Sequence, residues 1–162
     1  GLCLFSNRIH LFIPPKKEKS QINLISDALY NIKYDYTETN HARCINYLSM
    51  RYRKRSLIIM LSDFVDIDTS EDMIESVISS ARRNSFLFIG LRDPFIEARA
   101  RQFPQSTPEA YHKAVAIELL TDRKNVLEKM RRNGVHVLDC EPDQLTAPMI
   151  NKYLELTKLG VL

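Results

Sequence analysis

Glycine is scarce in this chain: there are four among 162 residues. None stands where a phosphate loop or a dinucleotide fingerprint would need it, since both require closely spaced glycines. Cysteine is scarcer still. Cys3, Cys44 and Cys140 are widely spaced and odd in number. That argues against a disulfide framework or a zinc site and for reduced thiols, in or near a core, in a reducing compartment. No apolar run approaches the roughly 18 residues of a membrane span, and no signal peptide is visible. The net charge of +3 is too small to argue by itself for nucleic acid. The four histidines (His10, His41, His112, His136) are scattered. They pair with neither a cysteine nor a serine in a recognisable catalytic order.

What is present belongs to an ordinary globular chain. Apolar residues make up 44% and charged residues 27%. The length suffices for one domain with a real core and hardly for two, so residues 1–162 are expected to form a single domain. Leu2 to Phe5 and Ile9 to Ile13 read as short strands joined at Ser6-Asn7, a hairpin closed by Pro14-Pro15. Ser20 is the expected N-cap of a helix burying Ile22, Ile25, Leu29 and Ile32. A second helix is expected from about Asn40 to Tyr52, burying Ile45 and Leu48. Ser56 to Leu61 reads as a strand buried on both faces of a parallel sheet. A third helix from near Ser70 would bury Met73, Val77, Ile78 and Ala81. Phe86 to Leu91 is another apolar strand. Helices broken at Pro104 to Pro108 fill Phe95 to Thr121. A separate helix at Asp122 to Asn133, a strand at Val135 to Leu138 and a last helix at Gln144 to Leu159 complete the pattern. This alternation predicts an α/β fold, with a doubly wound, mainly parallel sheet of Rossmann-like type and an antiparallel edge hairpin.

Three basic clusters stand out: Arg51 with Arg53-Lys54-Arg55, Arg82-Arg83, and Arg131-Arg132. Each falls at the end of a helix that precedes a strand, where cations complement the helix dipole. Asn84 and Gly134 follow where C-terminal caps belong. This reading is favoured over nucleic-acid binding, and no nucleic-acid partner is expected. The clusters belong on the sheet edge opposite Asp63.

Asp63 is the best-placed chemical group. It follows the Ser56 to Leu61 strand at once, and ligands of open α/β sheets bind outside the carboxyl ends of strands. Its carboxylate is a candidate ligand for Mg²⁺. Thr39 is its expected companion, on the loop before the second helix, although for Thr39 taken alone an N-cap is the better reading. Asp66 and Asp68 follow Asp63 closely and are better read as loop residues, with Asp68 or Ser70 capping the third helix.

The order Gly1-Leu2-Cys3-Leu4-Phe5-Ser6, a Thr39 loop before a helix, Leu61-Ser62-Asp63-Phe64 and Arg92-Asp93-Pro94 resembles the bacterial DUF58 family. Those are von Willebrand factor A-like domains often encoded beside MoxR-type AAA+ ATPases. The resemblance covers nearly the whole chain. It implies a metal-ion-dependent adhesion site built from an Asp-x-Ser-x-Ser loop, a threonine and a later aspartate. Thr39 matches the threonine and Asp63 the later aspartate. No Asp-x-Ser-x-Ser occurs in this sequence, and Asn40 stands where many relatives carry Asp. By this alignment Gly1 begins at the second strand, so the chain is expected to be an N-terminally truncated domain lacking its first strand and most metal ligands. Mg²⁺ is then expected in the full-length domain and no cofactor in this piece. An open strand edge would invite self-association.

Two functions are carried forward. The resemblance implies a non-enzymatic protein-interaction module of von Willebrand A type, with a MoxR-type ATPase as co-worker in complex assembly or maturation. The alternative is a Mg²⁺-dependent phosphoryl-transfer or nuclease domain using Asp63, Asp66 and Asp68. A cytoplasmic location is expected, with no membrane contact by this stretch and any membrane anchor upstream of Gly1.

Overall fold

The computed structural model describes residues 1–32, 37–63 and 71–160. The chain divides into two compact units, Gly1–Lys54 and Arg55–Leu162.

The first unit opens with β1 (Leu2–Phe5) and β2 (Ile9–Ile13), paired antiparallel around the Ser6–Arg8 turn. They form a two-stranded sheet of their own, whereas the sequence placed them as an edge of the parallel sheet. Helix α1 (Ser20–Tyr30) follows. Its cap position is Lys19, with no side-chain hydrogen bond, and Ser20 already lies in the helix. The expected apolar face is largely exposed: Ile22 is 70% and Leu29 46% accessible. The buried residue of α1 is Gln21, whose amide donates to the Pro14 carbonyl at 2.8 Å. Packing near the proline pair thus sets the inward face in place of the apolar period. Helix α2 (His41–Arg51) buries Cys44 and Ile45. Edge-on ring contacts of Phe5 with His41 and Phe12 with Tyr47 link it to the hairpin.

The second unit is α/β and Rossmann-like. Strands β3 (Leu57–Ser62), β4 (Ser85–Leu91) and β5 (His136–Cys140) form a parallel sheet in the order β3-β4-β5. β4 is central and buried from Ser85 to Gly90, as its near-continuous apolar run requires. Its side chains alternate between faces. Leu87 and Ile89 join Cys140, Leu138 and Leu57 on one face, covered by Leu145 and Met149. Phe86, Phe88 and Gly90 face the other way, where α3 (Glu71–Ala81) packs on β4 and α5 (Thr107–Arg132) on β5. Helix α3 buries Met73, Ile74, Val77 and Ser80; Ile74 and Ser80 replace the expected Ile78 and Ala81.

Two further expectations are corrected. β3 is not buried on both faces: among the described residues it is an edge strand, with Ile59 38% and Leu61 47% exposed. Leu145 and Met149 pack on the Leu87, Ile89 and Cys140 cluster of β4 and β5, against which Leu57 is the β3 residue that packs. The expected separate helix at Asp122 does not exist either. α5 runs unbroken for 26 residues, because no proline or glycine interrupts the sequence between Pro108 and Gly134. The break at Pro104 to Pro108 is real. Helix α4 (Pro94–Arg101) precedes it, and α5 starts from Ser106, whose hydroxyl accepts the Glu109 N–H. α5 ends at Asn133, and Gly134 turns the chain at φ +82°, the left-handed conformation glycine adopts freely. A single 3₁₀ turn (Pro142–Gln144) leads into α6 (Thr146–Lys158).

Candidate functional site

The carboxyl ends of β3 and β4 open onto a cavity of about 360 Å³ in the second unit. The parallel register aligns Ser62 with Gly90 and Gly90 with Asp139. Asp63 is the next residue out, exposed, on the cavity wall. Arg92 and Asp93 enter from the end of β4, Glu97 from α4 and Arg123 from α5, while Leu91, Leu119 and Pro142 supply apolar wall. Strand ends thus position the site, as in other open α/β sheets.

Most of its charges are already committed. Asp93 caps α4, its Oδ1 accepting the Phe95 N–H at 2.9 Å. Glu97 pairs with Arg92 Nη1 at 3.1 Å and with Arg101 Nη2 at 2.9 Å. Arg92 Nε is buried and has no hydrogen-bond partner among the described residues. Arg123, 8% exposed, donates from Nη2 to Asp139 Oδ1 at 2.9 Å. The sequence reading missed Arg92, Glu97 and Arg123. The Arg92-Asp93-Pro94 string and the Arg92/Glu97 spacing around a Pro-initiated helix were the available signals for the first two; Arg123 had none.

Thr39 lies in the first unit. It is exposed and lines a cavity there together with Ser6, His10 and Asp27. It is not the cap of α2. Asn40 is, its Oδ1 accepting the Arg43 N–H at 2.8 Å. Ser6 Oγ lies 2.8 Å from His10 Nε2, a serine–histidine contact that the scattered histidines did not suggest. Ser6 also donates to Asn7 Oδ1 at 3.3 Å, so the contact ties down the hairpin turn.

Asp66 and Asp68, and the Asp68 or Ser70 cap, lie outside the described residues. Among the described residues no group of three or more His, Cys, Asp or Glu side chains is placed to hold a metal ion. Thr39 and Asp63 are hard oxygen donors of the kind Mg²⁺ prefers, but they are fewer than the six it takes. The donor type fits the ion and the donor number does not. No helix among the described residues is long and apolar enough to cross a membrane.

The fold and the strand-end cavity define a small α/β domain of Rossmann-like type. The sequence model of the family described as "Protein of unknown function DUF58" matches residues 1–99. The chain belongs to that family. The match takes in Thr39, Asp63, Arg92, Asp93 and Glu97, and stops short of Arg123 and Asp139. No curated protein and no solved structure matches the chain significantly.

Proposed function

We propose that this chain is a non-enzymatic protein-interaction module of von Willebrand factor A type that works with a MoxR-type AAA+ ATPase in complex assembly or maturation, in the cytoplasm. The observation that carries the reading is Asp63. It is an exposed carboxylate at the carboxyl end of a parallel strand, on the wall of an open cavity, in a DUF58 chain. Asp63 and Thr39 each offer Mg²⁺ a hard oxygen, far fewer than the ion takes, so this chain alone binds it weakly and the reading rests on no step through the ion. The cavity beside Asp63 gives the partner an apolar seat at Leu91, Leu119 and Pro142.

The test is titration of a MoxR-type ATPase into the chain, with and without Mg²⁺. Asp63→Ala should weaken binding at least about tenfold, a change of ~1.4 kcal/mol, and leave the unfolding midpoint unchanged because the side chain is exposed. Binding indifferent to Asp63→Ala would end the proposal.

The alternative is a Mg²⁺-dependent phosphoryl-transfer or nuclease domain using Asp63, Asp66 and Asp68. It is favoured by one observation: carboxylates from two strand ends, Asp63 and Asp93, line the same cavity. Against it, Asp93 is engaged as a helix cap. Mg²⁺-dependent cleavage of a phosphate ester that disappears in Asp63→Asn would establish the alternative in place of the first reading.

A further inference from the structure

Cys3 and Cys44 are 41 residues apart in sequence, yet their sulfurs lie 3.7 Å from each other. Cys3 sits on β1 and is half-buried; Cys44 sits in α2 and is 1% exposed. Both belong to the first unit. We infer that this pair is a redox-responsive modification site, which closes into a Cys3–Cys44 disulfide when the chain meets a peroxide.

The geometry favours that chemistry over oxidation of either thiol alone. A disulfide needs its sulfurs at about 2.05 Å, so the gap left to close is about 1.7 Å. The roles divide by environment. The hydrogen bond between the two sulfurs favours the Cys3 thiolate and holds the Cys3 thiol below its ordinary value. The same hydrogen bond, together with burial, pushes the Cys44 thiol up. The more exposed sulfur is therefore the better nucleophile. The third cysteine has neither property. Cys140 is buried at the end of β5, and burial with the nearby Asp139 pushes its thiol up.

The steps balance. The Cys3 thiolate attacks one peroxide oxygen, the O–O bond breaks, and hydroxide leaves and takes up the proton released by Cys3. Cys3 is now a sulfenic acid. The Cys44 sulfur attacks the Cys3 sulfur, the S–O bond breaks, and water leaves with the Cys44 proton. Two thiols have lost two electrons, and one peroxide has become two waters. The product ties β1 to α2 covalently. It fixes the loop that carries Thr39, which already hydrogen-bonds the hairpin through the Asn40 N–H to the Ser6 carbonyl at 3.0 Å.

The experiment treats the purified, reduced chain with hydrogen peroxide, blocks remaining thiols with N-ethylmaleimide under denaturing conditions, and reads the intact mass and peptide map. The expected result is loss of two hydrogens, one maleimide adduct confined to Cys140, and a linked peptide pair containing Cys3 and Cys44. Dithiothreitol should restore three adducts, one per cysteine. Cys44→Ser should leave a Cys3 sulfenic acid that dimedone traps. Cys3→Ser should leave Cys44 unmodified at the same peroxide dose. Three adducts after peroxide, a link through Cys140 or between two chains, or over-oxidised Cys3 beside a free Cys44 would each overturn the inference.

Discussion

The Nη2 atom of Arg123 stands 2.6 Å from the point where a Cβ on Gly90 would lie. Glycine at position 90 is thus what lets a guanidinium from α5 lie across the central strand and reach Asp139 on β5. Gly90→Ala should force Arg123 off its carboxylate. We expect a loss of about 1–3 kcal/mol, the usual cost of an extra methyl in a packed interior, read from the urea midpoint at constant slope.

The ion pair itself can be separated from the packing. Asp139→Ala leaves a buried guanidinium without its carboxylate and should cost about 2–3 kcal/mol. Arg123→Met keeps the aliphatic stem and removes the charge, so it should cost less. In the double variant the two losses should not add, and a coupling of at least about 1 kcal/mol is expected from the cycle. Strict additivity would mean the pair contributes nothing as a pair.

Asn40 and Thr39 stand side by side and do different things. Asn40→Ala removes the cap of α2 and should destabilise by about 1 kcal/mol. Thr39→Ala, at an exposed position outside the cap, should stay within about 0.5 kcal/mol. Chemical denaturation of both variants checks this. The reverse order would return the capping role to Thr39.

His136 on β5 should make stability pH-dependent. Burial, with the charge of Lys152 adding to it, lowers its pKa from the ordinary 6.5 against a smaller opposing pull from Glu155. The unfolded chain then binds the proton more readily than the folded one. The stability held by neutral His136 is fully present above 6.5, declines as pH falls below that value, and is gone below the folded pKa. His136→Gln should flatten thermal midpoints measured between pH 7.5 and 5 relative to the parent (pH values chosen as about one unit or more either side of the histidine range).

The strands were legible because their signals are local. The apolar runs at 57–61 and 86–91 are too short for helices and end at polar or Pro-containing strings, so both existence and type followed from composition. Asp63 could be placed at a strand end for the same reason. What failed was context. Periodicity marked Ile22 and Leu29 of α1 as inward-facing, yet which face is buried depends on what packs there, and Gln21 with Pro14 decides it. β3 looked central because an apolar strand carries no mark of how many neighbours it has. The split of α5 at Asp122 had no proline or glycine there to enforce it. Arg123 was invisible as a site residue, since its partner lies on another strand and its space exists through a glycine on a third element.

One consequence of α5 concerns its two halves. At 1.5 Å per residue it is ~39 Å long, far longer than any strand beneath it. Its buried positions are Ala116, Arg123, Val126, Leu127 and Met130, none of them between Thr107 and Val115. The first turns, with Tyr111 69% exposed, bury no side chain. Local opening costs least where few apolar contacts must be broken. The amides from Thr107 to about Val115 should therefore trade their hydrogens for deuterium well ahead of those from Arg123 to Met130. Geometrically α5 is one rod; thermodynamically it is a fraying arm joined to a staple.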